Sequence, residues 1–284
     1  MCLRTMLAFV FLIGALAPGR SLAEPPPVST GGIQWARNYV QAQKTALQLH
    51  RLLIVDMETD WCSWCRIMDG DVYPAPIVVR SLRQGYVFLR VNAESNPDGV
   101  ALQRKFRVTG YPANIVVDPR DGLYIAIYGY RDVQQFLRDV KIATAELRQF
   151  GRLTTRVLAG TATTTERDEL AQAFADSGLY DKAAKEYLEL LEDPAVKLSP
   201  EEQFRAAVSL ASAGDNQRAL ATIGALERDF PASEAAPEAE ALEGEILWHE
   251  GNAARATRVL KQWLAKYPNN ALAEHVRSIL SQAR

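Results

Sequence analysis

Three glycines and three prolines in the C-terminal half of this 284-residue chain keep a nearly fixed spacing, and that repeat limits the available folds more than any other feature. Gly178, Gly214 and Gly251 lie 36 and 37 residues apart, while Pro194, Pro231 and Pro268 lie 37 and 37 apart. Glycine ends a helix by turning left-handed, and proline cannot continue one. Each period therefore holds two helices, joined at the glycine and closed before the proline. Five residues after each glycine stands an alanine (Ala183, Ala219, Ala256), small enough to let paired helices approach closely. Tyr187, Ile223 and Leu260 then take the large apolar position, and the Ala-, Leu- and Glu-rich stretch contains no strand-like run. These features predict an all-α solenoid of stacked hairpins over 166–284, with Tyr180 and Trp248 in its core.

The N-terminal half is patterned differently. Short apolar runs at Leu52–Glu58, Tyr86–Val91 and Asn114–Asp118, with a further strand at Leu123–Tyr128, suit a sheet covered on both faces. Helices are predicted at Ile33–Leu49, from near Cys62, at Asp98–Phe106 and at Asp132–Gln149. The Pro119-Arg120-Asp121-Gly122 turn is short enough to join the last two strands as a hairpin. The result is an α/β domain over 33–151, followed by a polar linker over 152–165 that few contacts should cross.

Ahead of both parts, residues 1–23 read as an export signal. Arg4 supplies the positive start, Leu7–Ala17 an apolar run of 11 residues, and Ser21-Leu22-Ala23 a small-residue cleavage site. That run falls short of the roughly 20 residues needed to cross a bilayer, so no permanent membrane span is expected. Residues 24–32 form a Pro/Ser/Gly-rich leader. Without the signal the chain keeps 30 basic and 34 acidic residues, too weak a field to recruit nucleic acid. It also keeps only two cysteines, Cys62 and Cys65, in what would be an oxidising periplasmic or extracellular setting.

Thr59-Asp60-Trp61-Cys62-Ser63-Trp64-Cys65 falls where a strand gives way to a helix. Unpaired N–H groups and the positive pole of the helix favour a thiolate at Cys62, the attacking form in thiol–disulfide exchange. Cys65, one turn inside, is shielded and placed to resolve the mixed disulfide.

Ile54-Val55-Asp56, the Trp-Cys-x-x-Cys segment, Val108-Thr109-Gly110-Tyr111-Pro112 and the hairpin with Asp118 and Gly122 together resemble the thioredoxin superfamily. The likeness spans Ile33 to Phe150. It is nearest to exported members such as the C-terminal periplasmic domain of the transmembrane thiol-disulfide interchange reductase. It implies a redox-active Cys62–Cys65 pair, a cis Pro112 facing the cysteines and holding backbone for a substrate strand, and Asp56 as the acid that moves protons for Cys65. Ser63-Trp64 departs from the Gly-Pro of ordinary thioredoxin. The repeats resemble tetratricopeptide repeats of bacterial envelope proteins, which bind peptides or protein partners. Two departures are the first repeat's lack of an aromatic at its start and Gly244, the only glycine at the small position of a first helix.

Plainer readings stand beside these. The pair could be an inert structural disulfide or half of a zinc site, although no second Cys-x-x-Cys or His pair exists and His50, His249 and His275 are scattered. Asp56 could be a solvated strand-end acid, Asp69 an ordinary exposed one, and Pro112 a loop proline. Trp61, Trp64, Tyr111 and Pro112 are the candidate substrate contacts, although a tryptophan placed as Trp61 is more often a packing lid than a substrate binder, and Trp64 fits either role equally. The reading favoured by the sequence is an exported thiol-disulfide oxidoreductase acting on protein thiols or disulfides. Cys62, Cys65 and Asp56 would be catalytic, no metal or cofactor is required, and a protein partner would sit on the repeats. The other reading is a binding or assembly protein whose thioredoxin-like part is an adaptor.

Overall fold

Strand β2 (Leu52–Glu58) is buried on both faces, and the rest of the N-terminal part is arranged to bury it. In the computed structural model, which describes residues 32–282, five strands pair in the order β1-β3-β2-β4-β5. β1 (Trp35–Ala36), β3 (Tyr86–Asn92) and β2 run parallel, and β4 (Ala113–Val117) and β5 (Tyr124–Tyr128) are antiparallel. Side chains alternate across a strand, so Leu53, Val55 and Met57 enter one core with Leu89, Phe106 and Ile115, while Ile54 enters the other with Met68, Val72 and Phe88. The expected signal over 1–23 and most of the leader lie outside the described residues. Among those described, no helix is long and apolar enough to cross a membrane.

The β4–β5 hairpin closes as expected: Asp118 N–H donates to Leu123 O at 2.8 Å, and Gly122 takes φ +84°. Three elements differ from the sequence expectation. Ile33–Leu49 is not one helix, because Asn38 caps a shorter α1 (Tyr39–Gln48) by accepting from Gln41 N–H at 2.9 Å, and Trp35–Ala36 pairs with β3 instead. Two helices, α2 (Ser63–Asp71) and α3 (Pro76–Leu82), connect β2 to β3, the second opening on a proline at its first turn. After α4 (Pro97–Lys105) and the hairpin, α5 (Val133–Leu158) runs for 26 residues from an Asp132–Gln135 capping box.

That length changes the junction. The segment 152–165, polar in sequence, is helical to Leu158 and carries a buried Leu153. Leu153 joins Leu170, Ala173 and Phe174 of α6 (Thr164–Asp176) and Ala183 of α7 (Tyr180–Glu192) in the same core as Ile54, Val116, Phe136 and Val140. Polar contacts cross as well: Lys182 Nζ donates to Asp121 O at 2.7 Å, and Arg107 Nη2 to the Tyr180 hydroxyl at 2.6 Å. The few contacts expected across this segment are thus replaced by a shared core, and the described residues form one compact unit.

The repeat spacing translates directly into hairpins. α6–α7, α8–α9 (Pro200–Ser212, Asn216–Asp229) and α10–α11 (Ala236–His249, Ala253–Lys266) turn at Gly178, Gly214 and Gly251 with φ +69°, +85° and +77°, and α12 (Ala273–Ser281) follows. Each repeat proline lies two residues beyond a helix end, and Ala183, Ala219, Ala256, Tyr187, Ile223 and Leu260 are all buried. Tyr180 and Trp248, expected in the core, are only partly buried. The first stands at the first turn of α7, against Arg107.

Two substitutions test this packing. Phe174→Ala should cost about 3–5 kcal/mol and speed amide exchange in β2 as well as in α6; unchanged β2 protection would mean that the two parts do not share a core. At Gly244 an added Cβ would lie 2.2 Å from Leu260 Cδ2 and 2.5 Å from its Cγ, and Leu260 is fully buried. Gly244→Ala should therefore lower stability in denaturant unfolding by about 1–3 kcal/mol, although helix propensity alone would favour alanine by about 1 kcal/mol.

Candidate functional site

β2 ends at Glu58, and the chain turns through Thr59–Trp61 so that Cys62 becomes the N-cap of α2. Cys62 N–H donates to Thr59 O at 3.1 Å, and Cys62 Sγ accepts from Cys65 N–H at 3.1 Å. The sulfur thus occupies the acceptor position that a serine or aspartate would fill at a helix start, where a negative charge is stabilised. Cys62 and Cys65 form a disulfide with Cα atoms 5.3 Å apart. Each residue is 4% exposed, so in this oxidised form Cys62 is no more accessible than its partner.

An aromatic rim surrounds the pair. Trp61 and Trp64 are 65% and 53% exposed, large areas for tryptophan. Trp61 donates its indole N–H to the Glu94 carboxylate at 3.0 and 3.1 Å and meets Tyr111 edge-on at 5.9 Å, while Trp64 lies 5.1 Å from the Tyr130 ring. Trp61 therefore stands out from the surface against Tyr111 rather than covering a core. The Tyr111–Pro112 bond is cis, and Pro112 O accepts from Gly129 N–H at 2.8 Å. Tyr130 and Glu94 were not picked out by sequence, since neither belongs to a motif.

The candidate acid lies on β2, the strand that leads into the cysteine turn. Asp56 shares the face of β2 that carries Ile54 towards Met68 of α2 and Val72 just beyond it, and it is 2% exposed. This excludes a solvated strand-end carboxylate. Asp56 Oδ2 accepts from Arg90 Nε at 2.8 Å, and Oδ1 from the Tyr73 hydroxyl at 2.8 Å. Tyr73 also lies 3.0 Å from Asn114 Oδ1. A phenol has one proton for these two oxygens. With Asp56 ionised, Tyr73 donates to it; with Asp56 protonated, the acid can donate to the phenol oxygen and free Tyr73 to serve Asn114. The network so has a use for the proton.

Arg90 is the residue that sequence reasoning missed. Its signal is a lone cation within the apolar run Tyr86-Val87-Phe88-Leu89-Arg90-Val91, and the parallel register sets it beside Asp56. The guanidinium contacts Asp56, pairs with Asp69 of α2, comes within 3.9 Å of Glu58, and lies 4.2 Å over Trp35 and 5.2 Å over Tyr73. Burial pushes the Asp56 carboxyl up, Arg90 and the Tyr73 hydrogen bond pull it back, and the nearby Asp69 charge adds to the rise. Glu58 is raised for the same leading reason, and burial holds the Tyr73 phenol well above its ordinary range. Asp56, Glu58 and Asp69 could each present an oxygen to one cation, all within 4.8 Å of one another. Arg90 already meets all three, so the guanidinium fills the cation's role.

Among known proteins, a thioredoxin-like family model matches residues 34–119. A thioredoxin from Thermus thermophilus is 26% identical over 39% of this chain and 85% of its own, with a TM-score of 0.35. An oxidoreductase called DsbH is 19% identical over 44% and 94%, with a TM-score of 0.34. The C-terminal domain of DsbD from Neisseria meningitidis, in oxidised form, is 24% identical over 36% and 90%, with a TM-score of 0.32. No curated protein matches the chain. The family match and the five-stranded sheet that delivers Cys62 and Cys65 to the start of α2 make residues 34–119 a thioredoxin-like domain.

Proposed function

We propose that the chain is an exported thiol-disulfide oxidoreductase whose helical hairpins, of tetratricopeptide type, recruit a protein partner in the periplasm or outside the cell. The observation that carries this reading is Cys62 at the N-cap of α2, its sulfur accepting the Cys65 N–H, in a domain whose β2 holds a buried acid with an alternative place for its proton. In the dithiol form the Cys62 thiolate attacks a substrate disulfide, and one substrate sulfur leaves as a thiolate. Cys65 then attacks Cys62 Sγ, which restores the Cys62–Cys65 disulfide and releases the second substrate thiol. Asp56 accepts the proton that Cys65 gives up. Read in reverse, the same steps oxidise a substrate dithiol. Trp61, Trp64 and Tyr111 offer apolar area beside the reacting sulfur, and the cis Pro112 holds the preceding backbone, at Tyr111, for an extended substrate segment.

The adaptor reading draws on one observation, the 4% exposure of each cysteine in the disulfide. Insulin reduction separates the two: wild type should be active, and Cys62→Ser inactive though folded. Cys65→Ser should trap a mixed disulfide through Cys62, detectable by mass. If Cys65 is instead alkylated faster than Cys62 in reduced protein at pH 6, the assigned roles are reversed.

A second test concerns Asp56. Because its folded pKa lies above the unfolded value, the folded chain holds a proton that the unfolded chain has released, and stability falls as pH rises through the native value. Asp56→Asn removes this loss while leaving Arg90 its Asp69 and Glu58 partners. Stability at pH 7 should rise, and turnover should fall about 100-fold through loss of the proton carrier. Arg90→Met removes the charge that pulls Asp56 down, so the acid limb of the pH–rate profile should move to higher pH. A profile that stays in place would dissociate Arg90 from the proton step.

A further inference from the structure

A cavity of about 330 Å³ lies where the end of α4 faces the α6–α7 turn, away from the cysteine pair's own neighbours. Its lining includes three cations, Arg104, Lys105 and Arg107, together with the hydroxyls of Tyr124, Ser177 and Tyr180. No carboxylate is among the lining residues, although the Asp176 charge reaches the lining Tyr124. Asp176 and Asp181 flank the lining residues in sequence, yet no ion pair among the described residues joins either of them to the three cations.

Two of these cations have an ordinary explanation: Arg104 and Lys105 occupy the last turn of α4, where the helix pole favours positive charge. Arg107 does not. It lies past the helix in left-handed backbone at φ +49°, a conformation costly for a side-chain-bearing residue. That backbone swings its guanidinium across to the solenoid, where Nη2 donates to the Tyr180 hydroxyl at 2.6 Å and the group lies 5.1 Å over the Tyr180 ring. It lies so close to Gly178 that a Cβ there would come within 2.7 Å of Nη2. The charge is held by shape and by a neutral ring, with no ion pair to it among the described residues. Lys105 is held similarly, on the Tyr39 hydroxyl at 3.0 Å, and Arg104 has no partner among the described residues.

Like charges gathered in a concave, partly enclosed space raise the local potential and concentrate anions. The hydroxyls add donors: Tyr180 accepts from Arg107 and keeps its own proton, and Ser177 Oγ accepts from Tyr124 N–H at 3.5 Å and keeps its own. We propose that this junction cavity is a binding site for a small multivalent anion carrying phosphate or carboxylate groups. The volume falls at the small end of ligand pockets and suits a compact anion. Bound there, the anion bridges cations of the thioredoxin-like domain to hydroxyls of the first helical hairpin, and so stabilises their junction by linkage. The site is independent of the cysteine chemistry.

Calorimetric titration of the full chain with pyrophosphate and, separately, citrate tests this at an ionic strength fixed with chloride. Saturable one-to-one binding of at least one of them is expected, with a rise in unfolding temperature. Arg104→Gln, which breaks no side-chain hydrogen bond or ion pair among the described residues, should weaken binding about tenfold, while Lys141→Gln on α5 and Cys62→Ser should leave it unchanged. Binding of pyrophosphate alone would assign the site to phosphates, and of citrate alone to carboxylates. No saturable binding of either anion, or equal affinity in the Arg104→Gln and Lys141→Gln variants, would overturn the proposal.

Discussion

Burying β2 on both faces is the constraint on which the rest of the N-terminal architecture depends. A strand with apolar side chains facing two ways needs helices above and below, and the chain provides α2, α3 and α5 on one side and α1 and α4 on the other. An acid placed in such a strand then loses its water. Leaving Asp56 ionised there without partners would cost several kcal/mol, so the neighbouring elements must supply charge and hydrogen bonds. Arg90 comes from the adjacent strand and Tyr73 from the end of the cysteine-bearing helical segment. Because Arg90 also pairs with Asp69 on α2, the compensation for one buried acid ties the cysteine helix to the sheet.

The same logic explains why the two parts of the chain are not beads on a string. α5 is amphipathic along its whole length, and its apolar stripe does not stop where the sheet stops. Leu153 extends past the edge of the α/β core, and α6 and α7 bury it with Phe174 and Ala183. A solenoid needs its first repeat capped to keep an apolar face from water. Here the thioredoxin-like domain covers that face. The hairpin that begins the repeats is therefore packed into the core of the domain that carries the cysteine pair.

Much of this was legible in sequence, for identifiable reasons. Glycine at a left-handed helix end and proline after a helix are local requirements that no tertiary contact overrides, so Gly178, Gly214, Gly251 and the three repeat prolines marked the hairpins correctly. The Trp-Cys-x-x-Cys segment marks a strand-to-helix turn because the apolar run of β2 ends just ahead of it. What stayed hidden was set by distance. Nothing local tells that Arg90 faces Asp56, because that contact comes from a parallel register across 34 residues. The polarity of 152–165 suggested a linker, but a helix with one buried leucine per two turns reads as polar while still docking. Asn38 as a cap and Pro76 as a helix start were readable in principle; apolar periodicity alone ran over the first and past the second.

The charge balance around Asp56 bears on how the pair can turn over. Reducing a disulfide to two thiols takes up two electrons and two protons, and forming it returns them, so a buried cysteine needs a nearby group that exchanges protons without opening the core. Three carboxylates around one guanidinium leave an excess of negative charge in a low-dielectric setting, which favours keeping a proton in the cluster. Asp56 is where burial places it, and Tyr73 with Asn114 gives the protonated acid a hydrogen-bond acceptor it would otherwise lack. Arg90 limits this tendency. Burial and the Asp69 charge push the carboxyl up while the guanidinium and the Tyr73 hydroxyl pull it back, and in the proposed reaction that balance governs how readily Asp56 takes up and gives up a proton.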